Sequence, residues 1–187
     1  MTSYFLPRKV FYWSSLLFLF FSCKNSLDEV TLVTIHDNEP SESSKDVELI
    51  YSDSAKITFI LKAPVLDRYF DDPENPYTEF IEGAEMEFYN KEGKIDSKIT
   101  CKYAIHYEKE EKMDARKDVV VVNKMGETLN TEHLWWEKKT GMIYSDEFVK
   151  ITTEDEIIYG DGLEANEDFT KYKILNIKGT ISTDEEI

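Results

Sequence analysis

Few residues of this chain stand in spacings that could do chemistry. Its three histidines are His36, His106 and His133. None stands in an HExxH motif or in the paired spacing of a metal site. No GxSxG, Walker A or GxGxxG sequence occurs, so neither a nucleophile elbow nor a phosphate-cradling loop is expected. The 38 Asp and Glu residues are so many that choosing any two as acid and base is unspecific. Asp71-Asp72-Pro73-Glu74-Asn75 could attract Ca²⁺, but it lacks the glycine and following glutamate of an EF-hand loop and reads as a solvated loop. Cys101 has no histidine placed to activate it and, in an alternating segment, reads as a small core residue. No catalytic residue, metal or cofactor is therefore expected. Trp135 and Trp136 are adjacent, so in a strand one joins the core while the other is exposed or covers a sheet edge.

Composition narrows the alternatives. A chain of 187 residues with 41% hydrophobic and 13% aromatic content can build one core. A net charge of −16 argues against nucleic acid, whose binding rests on Lys and Arg at phosphates. Seven glycines and five prolines exclude collagen-like and low-complexity classes. Two cysteines exclude a disulfide scaffold.

The N-terminus has the pattern of an export signal. Arg8 and Lys9 precede an apolar stretch from Val10 to Phe21, broken only by Ser14 and Ser15. The stretch is short for a spanning helix, which needs roughly 20 apolar residues, and fits a signal h-region of about 7–15. Ser22-Cys23 resembles the bacterial lipobox, in which the Cys is diacylated and becomes the mature N-terminus. Ordinary cleavage and an uncleaved short anchor are the alternatives; all three export the domain. The expected organisation is a lipoprotein-type signal peptide over 1–22, a flexible tether over 23–45, a β domain over 46–182 and an acidic tail over 183–187.

From Asp46 onward, period 2 dominates. Ala55, Ile57, Phe59, Leu61 and Ala63 alternate with Lys56, Thr58, Ile60 and Lys62. Such alternation makes strands with one buried and one wet face. Turn signals stand at Asn90–Gly93, Lys124–Gly126, Lys139–Gly141 and Gly160–Gly162, and Asp71–Thr78 reads as a loop. A repeat underlies the ladder. Met113, Ala115, Val119 and Val121 recur 30 residues later as Ile143, Ser145, Val149 and Ile151, with Leu175, Ile177 and Ile181 as a third copy. In the preceding strands Thr100, Tyr103 and Ile105 align with Thr131, Leu134 and Trp136, then with Gly160, Leu163 and Ala165. A unit of two strands and two turns stacks into a long, curled antiparallel sheet with a continuous apolar inner face. That face is either packed shut or open as a trough suited to acyl chains.

Several fragments are similar to the LptC family. They are Val47–Ser54, Leu61-Lys62-Ala63-Pro64, Glu87-Phe88-Tyr89 with Gly93, Tyr103–Tyr107 and Val119–Asn123. The most specific is Leu129-x-Thr131-x-x-Leu134-x-Trp136, followed by Gly141-x-Ile143-x-Ser145 and Val149-x-Ile151. The resemblance runs from about Asp46 to Ile181. It implies an all-β half jelly roll and a membrane-anchored periplasmic component of lipopolysaccharide export. Such a protein takes its lipid from an inner-membrane ABC transporter and passes it to a periplasmic bridge protein of the same fold. Typical members use an N-terminal transmembrane helix, where this chain offers Cys23. The groove for lipid A acyl chains is then expected from Phe59, Phe88, Ile99, Tyr103, Ile105, Val119, Val121, Leu134, Trp136, Ile143, Val149, Ile151 and Leu163. The competing reading is a structural or surface lipoprotein with a packed β core and no lipid ligand.

Overall fold

The computed structural model describes residues 39–182. Cys23, His36, the signal segment, most of the tether and the acidic tail lie outside them. The described residues form β1 (Glu42–Asp53), β2 (Lys56–Tyr69), β3 (Tyr77–Phe80), β4 (Ala84–Tyr89), β5 (Ile95–Cys101), β6 (Tyr103–Tyr107), β7 (Lys112–Asn123), β8 (Thr128–Glu137), β9 (Met142–Thr152), β10 (Glu156–Asn166) and β11 (Tyr172–Ser182). All belong to one 11-stranded sheet with β1 and β11 at its two edges. The all-β antiparallel architecture expected from the alternation is the one observed.

Local chemistry sets the turns. After β4, Asn90 Oδ1 accepts from the amides of Glu92 and Lys94, both at 3.0 Å, and Gly93 takes φ +77°. The same device follows β7, where Asn123 Oδ1 accepts from Met125 and Glu127 and Gly126 takes φ +83°. An Asx acceptor with a glycine at positive φ closes a turn at no steric cost.

The sheet splits in its N-terminal half. β7 pairs with β6 through Lys112–Arg116 and with β5 through Val120–Asn123. β2 likewise pairs with β4 through Phe59–Lys62 and with β3 through Asp67–Tyr69. Pro64 falls in the gap between those two partners and opposite Asp46, which has φ 51° and is skipped in the β1 pairing between Lys45 and Val47. A residue without an N–H is tolerated in a long strand where no ladder bond is asked of it.

Two boundaries differ from the sequence reading. β1 starts at Glu42 rather than Asp46, because the polar run finds partners on β2: Ser43 Oγ donates to Asp67 Oδ1 at 2.6 Å, and Arg68 meets Glu42 at 3.4 Å. β3 takes Tyr77 and Thr78 out of the expected loop, with Tyr77 stacked on Tyr69 across the pair at 4.7 Å.

The repeat has a physical cause in a line of bulges. In each copy the apolar alternation skips one position, occupied by Lys117 in β7 and Glu147 in β9. There β7 breaks register with β8 between Arg116 and Val119, with Lys117 and Asp118 at positive φ. β8 and β9 break between Thr131 and Trp135, and β9 and β10 between Asp161 and Leu163. Bulges bend a strand and increase its twist, so a stack of them curls the sheet. Curling brings β2 and β4 against β8: Phe59 and Phe88 meet the Trp136 ring edge-on at 5.4 and 5.2 Å.

The third copy of the repeat does not hold. Leu175, Ile177 and Ile181 are exposed, and Tyr172 and Ile174 pack on the core instead. β11 is an edge strand with no further neighbour to cover it, and its register shifts beside Gly160. A side chain at Gly160 would collide with Ile174 Cγ2 and the Asn176 carbonyl.

Candidate functional site

The inner face of the curl is the one large apolar surface that the described strands share. Phe88, Ile99, Val119, Val121, Leu134, Trp136, Ile143, Val149, Ile151 and Leu163 are buried there in one cluster, with Phe59 partly buried against it. The structure adds Leu61, Met86 and Phe80 from strands beside the repeat, and Leu129 from β8 opposite Val121.

Tyr103 and Ile105 are not on this face. Ala104 pairs with Ala115, which pairs with Leu134; His106 pairs with Met113, which pairs with Trp136. Ala104 and His106 therefore lie in the inward rows, and Tyr103 and Ile105 turn outward. The repeat is real, but its first copy is offset by one residue. Cys101, Ala104 and His106 are the counterparts of Thr131, Leu134 and Trp136, because the chain breaks between β5 and β6 at Lys102, whose amide donates to the Lys117 carbonyl at 3.0 Å. A one-residue slip flips every side chain of a strand. Tyr103 donates its hydroxyl to Glu79 Oε1 at 2.8 Å, and burial with that bond pushes its pKa up. Ile105 sits between Glu79 and Asp114 on the outer side.

One end of the curl is plugged by the turn between β10 and β11. Ser97 Oγ donates to the Glu167 carbonyl at 2.6 Å, and Asn123 Nδ2 donates to the Phe169 carbonyl at 3.0 Å. Phe169 is fully buried beneath this clasp. Glu167 reaches back to accept from Trp136 Nε1 at 3.0 Å, and burial raises its pKa.

The interior is filled. The space left among Leu61, Met86, Ile99, Cys101, Ala104 and Trp136 is about 20 Å³, room for about one water and no acyl chain. At the rim an apolar crevice of about 210 Å³ opens between Leu49, Tyr51, Phe59, Phe80, His106 and Lys138. That is below the roughly 300–1,000 Å³ of small-molecule pockets. Burial lowers the pKa of His106 on the crevice wall, and it raises that of the half-buried Cys101 thiol, which donates to the Ala84 carbonyl at 3.8 Å.

The outer face holds a network of paired polar groups around Asp114. His133 places Nε2 2.9 Å from Asp114 and Nδ1 3.1 Å from Asp146. Burial works against the charge of Asp114, but Arg116 at 2.7 Å and His133 outweigh it and hold its carboxyl low. Trp135 is the outward member of the tryptophan pair, stacked on Tyr144 with the Lys112 ammonium 5.1 Å above its ring. Among the described residues no group of His, Cys, Asp or Glu could hold a metal ion.

An all-β curl with an unbroken apolar inner face meets its counterpart in the comparison with known families. The family model for lipopolysaccharide-assembly, LptC-related proteins matches residues 16–182. The chain belongs to the LptC family. LptC-related proteins are components of lipopolysaccharide transport, and their place is periplasmic and membrane-associated. A search of curated proteins found no match. Among the described residues no helix is long and apolar enough to cross a membrane.

Sequence reasoning missed the residues of the LptC-like domain that close its rim. Tyr51 and Lys138 come from strand ends far apart in the chain, and no periodicity links them. His106 became legible only once the offset at Lys102 was placed.

Proposed function

We propose that the domain is a non-catalytic carrier whose inner face takes the acyl chains of lipopolysaccharide. The observation that carries this reading is the continuity of that face, from Phe59 and Phe88 through Val121 and Ile151 to Leu163, across strands that share one curled sheet. In this reading an inner-membrane ABC transporter supplies the lipid and a periplasmic bridge protein of the same fold receives it. β1 and β11 are the docking edges, because an edge strand offers unpaired N–H and C=O groups to an added strand. Cys23, acylated after cleavage behind Ser22, holds the domain at the membrane, probed by mass spectrometry of the mature N-terminus. An intact N-terminus there would remove the lipid anchor from the proposal.

The closed interior means that loading must part the two walls. Separating one aromatic pair costs roughly 0.5–1.5 kcal/mol beyond area, while each methylene buried contributes about 0.8 kcal/mol. The walls also lose the apolar area they bury on each other, so the chain must cover both walls to offset the opening.

The same closed interior favours one other reading, a structural lipoprotein with a permanently packed core. Displacement of a hydrophobic dye separates the two. A carrier binds the dye and releases it to lipopolysaccharide in a saturable way. A packed core binds neither, and that result would end the carrier reading.

A further inference from the structure

A filled inner face needs an entrance, and one stretch of its rim is built as one. Tyr51 of β1 stacks on Phe59 at 5.0 Å, and Phe59 meets Trp136. Lys138, just after β8, holds its ammonium 3.8 Å from the centre of the Tyr51 ring. β1 and β8 are not neighbours in the sheet, so this contact bridges two rims of the curl. It is a thin bridge. Tyr51 is 39% exposed, and a cation over an exposed ring is a weak tie.

Directly behind it lies the 210 Å³ crevice, whose walls Leu61, Met113 and Trp136 also bound the residual interior space. Its lining holds a cation and no carboxylate. Three other surface clefts are rimmed by acids: Asp46, Glu48, Glu82 and Glu85 in one, Asp96, Glu167 and Asp168 in another, and Asp118, Glu132 and Glu147 in the third. In a chain of net charge −16 that contrast is selective. Glu111 lies 3.6 Å from Lys138 and 3.7 Å from Lys139, so this one carboxylate is divided between two ammonium groups, and Lys138 is the only charged side chain among the crevice lining. An apolar slot with an ammonium at its lip fits an amphiphile with a hydrocarbon tail and an anionic head.

We propose that Tyr51 and Lys138 form the gate through which an acyl chain enters, with Lys138 exchanging the Tyr51 ring for a headgroup phosphate. This rests on the carrier reading above and adds the place of entry and the residue that selects the headgroup. The ammonium gives up a ring face for a phosphate oxygen, a stronger charge-assisted contact. The tail then replaces Tyr51 against Phe59 and Trp136.

The test compares the affinity of the full-length protein for lipid A with that for the same lipid A after enzymatic dephosphorylation. Wild type should prefer the phosphorylated form about tenfold, the size of one charge-assisted contact. Lys138→Gln should collapse the preference to within about twofold, and Lys138→Arg should keep it, both judged on the same ratio. Lys150→Gln, on the outer face, is the control and should keep it as well. Tyr51→Ala should speed association of both lipids. Circular dichroism of each variant guards against misfolding. A wild-type protein with no preference, or a Lys138→Gln protein that retains it, would overturn the gate while leaving the carrier intact. A wild-type protein that binds neither lipid would remove both.

Discussion

The half of the sheet built from β7 to β10 and the half built from β2 to β6 solve the same problem differently. In the first, each strand runs unbroken past its neighbours, the bulges line up, and Val119, Val121, Ile143, Val149 and Ile151 are fully buried. In the second, the sheet divides, short strands meet on either side of a gap, and the chain turns at Gly83 and Lys102. Gly83 has φ +91°, and a Cβ there would strike the Cys101 carbonyl. The continuous half is the more regular wall. The divided half carries β1, the rim crevice and the contacts that part in the proposed carrier, so the proposal places opening where the ladder is least regular.

The largest expected effect breaks the wall. Val121→Asp or Ile151→Asp puts a carboxylate where no water reaches, at a cost of several kcal/mol, a large share of a typical stability of about 5–15. Both variants should fail to fold by circular dichroism, and loss of lipid binding in them would follow from that. Lys150→Asp, between them on the other face, should stay within about 0.5 kcal/mol of wild type in urea.

Next is the plug. Phe169→Ala removes a fully buried ring that lies beneath the clasp from Ser97 and Asn123 and stacks on Tyr172. The expected loss is about 3–5 kcal/mol by urea unfolding. A loss below about 1 kcal/mol would show that the turn is an appendage and that the wall stands without it.

The pattern of what could be read from sequence follows the same division. The strand ladder, the curl and the inward rows of the continuous half were legible because the alternation there recurs at a fixed spacing, with its one skipped position falling on a charged residue, Lys117 or Glu147. The inward row of β6 was not, because nothing in residue type marks the offset at Lys102: the outward pair, Tyr103 and Ile105, is bulky and reads as the core row, while the inward pair is a small Ala104 and a polar His106. The exposure of Leu175, Ile177 and Ile181 was hidden for another reason, since an edge strand keeps its alternation after losing its neighbour. Tyr51 and Lys138 meet only because the sheet curls, a property of the whole that no local spacing encodes.

The smallest effect distinguishes the plug from the wall by pH. Burial raises the carboxyl pKa of Glu167 in the folded state above its unfolded value. Its contribution is therefore favourable below the unfolded pKa of about 4.3 and is lost as pH rises through the folded pKa. Glu167→Gln keeps an acceptor for Trp136 Nε1 and should be the more stable protein at pH 7, by less than about 1 kcal/mol given the solvent contact that remains. The advantage should shrink as pH falls through the raised pKa of Glu167 and be gone below about 4. Urea midpoints at several pH values check this, and an advantage independent of pH would assign the effect to packing.

The central claim is that lipid meets the inner face and enters from the divided half. Photo-crosslinking to lipopolysaccharide from single positions tests it most directly, with a photoreactive residue placed at Phe59, Ala104 and His106 on the inner face and at Tyr103, Ile105 and Lys150 on the outer. Folding is checked for each by circular dichroism. Crosslinks from the first set and none from the second are predicted, with the alternation visible between neighbours 103 to 106. Equal labelling from both sets, or labelling confined to Tyr103 and Ile105, would contradict the account.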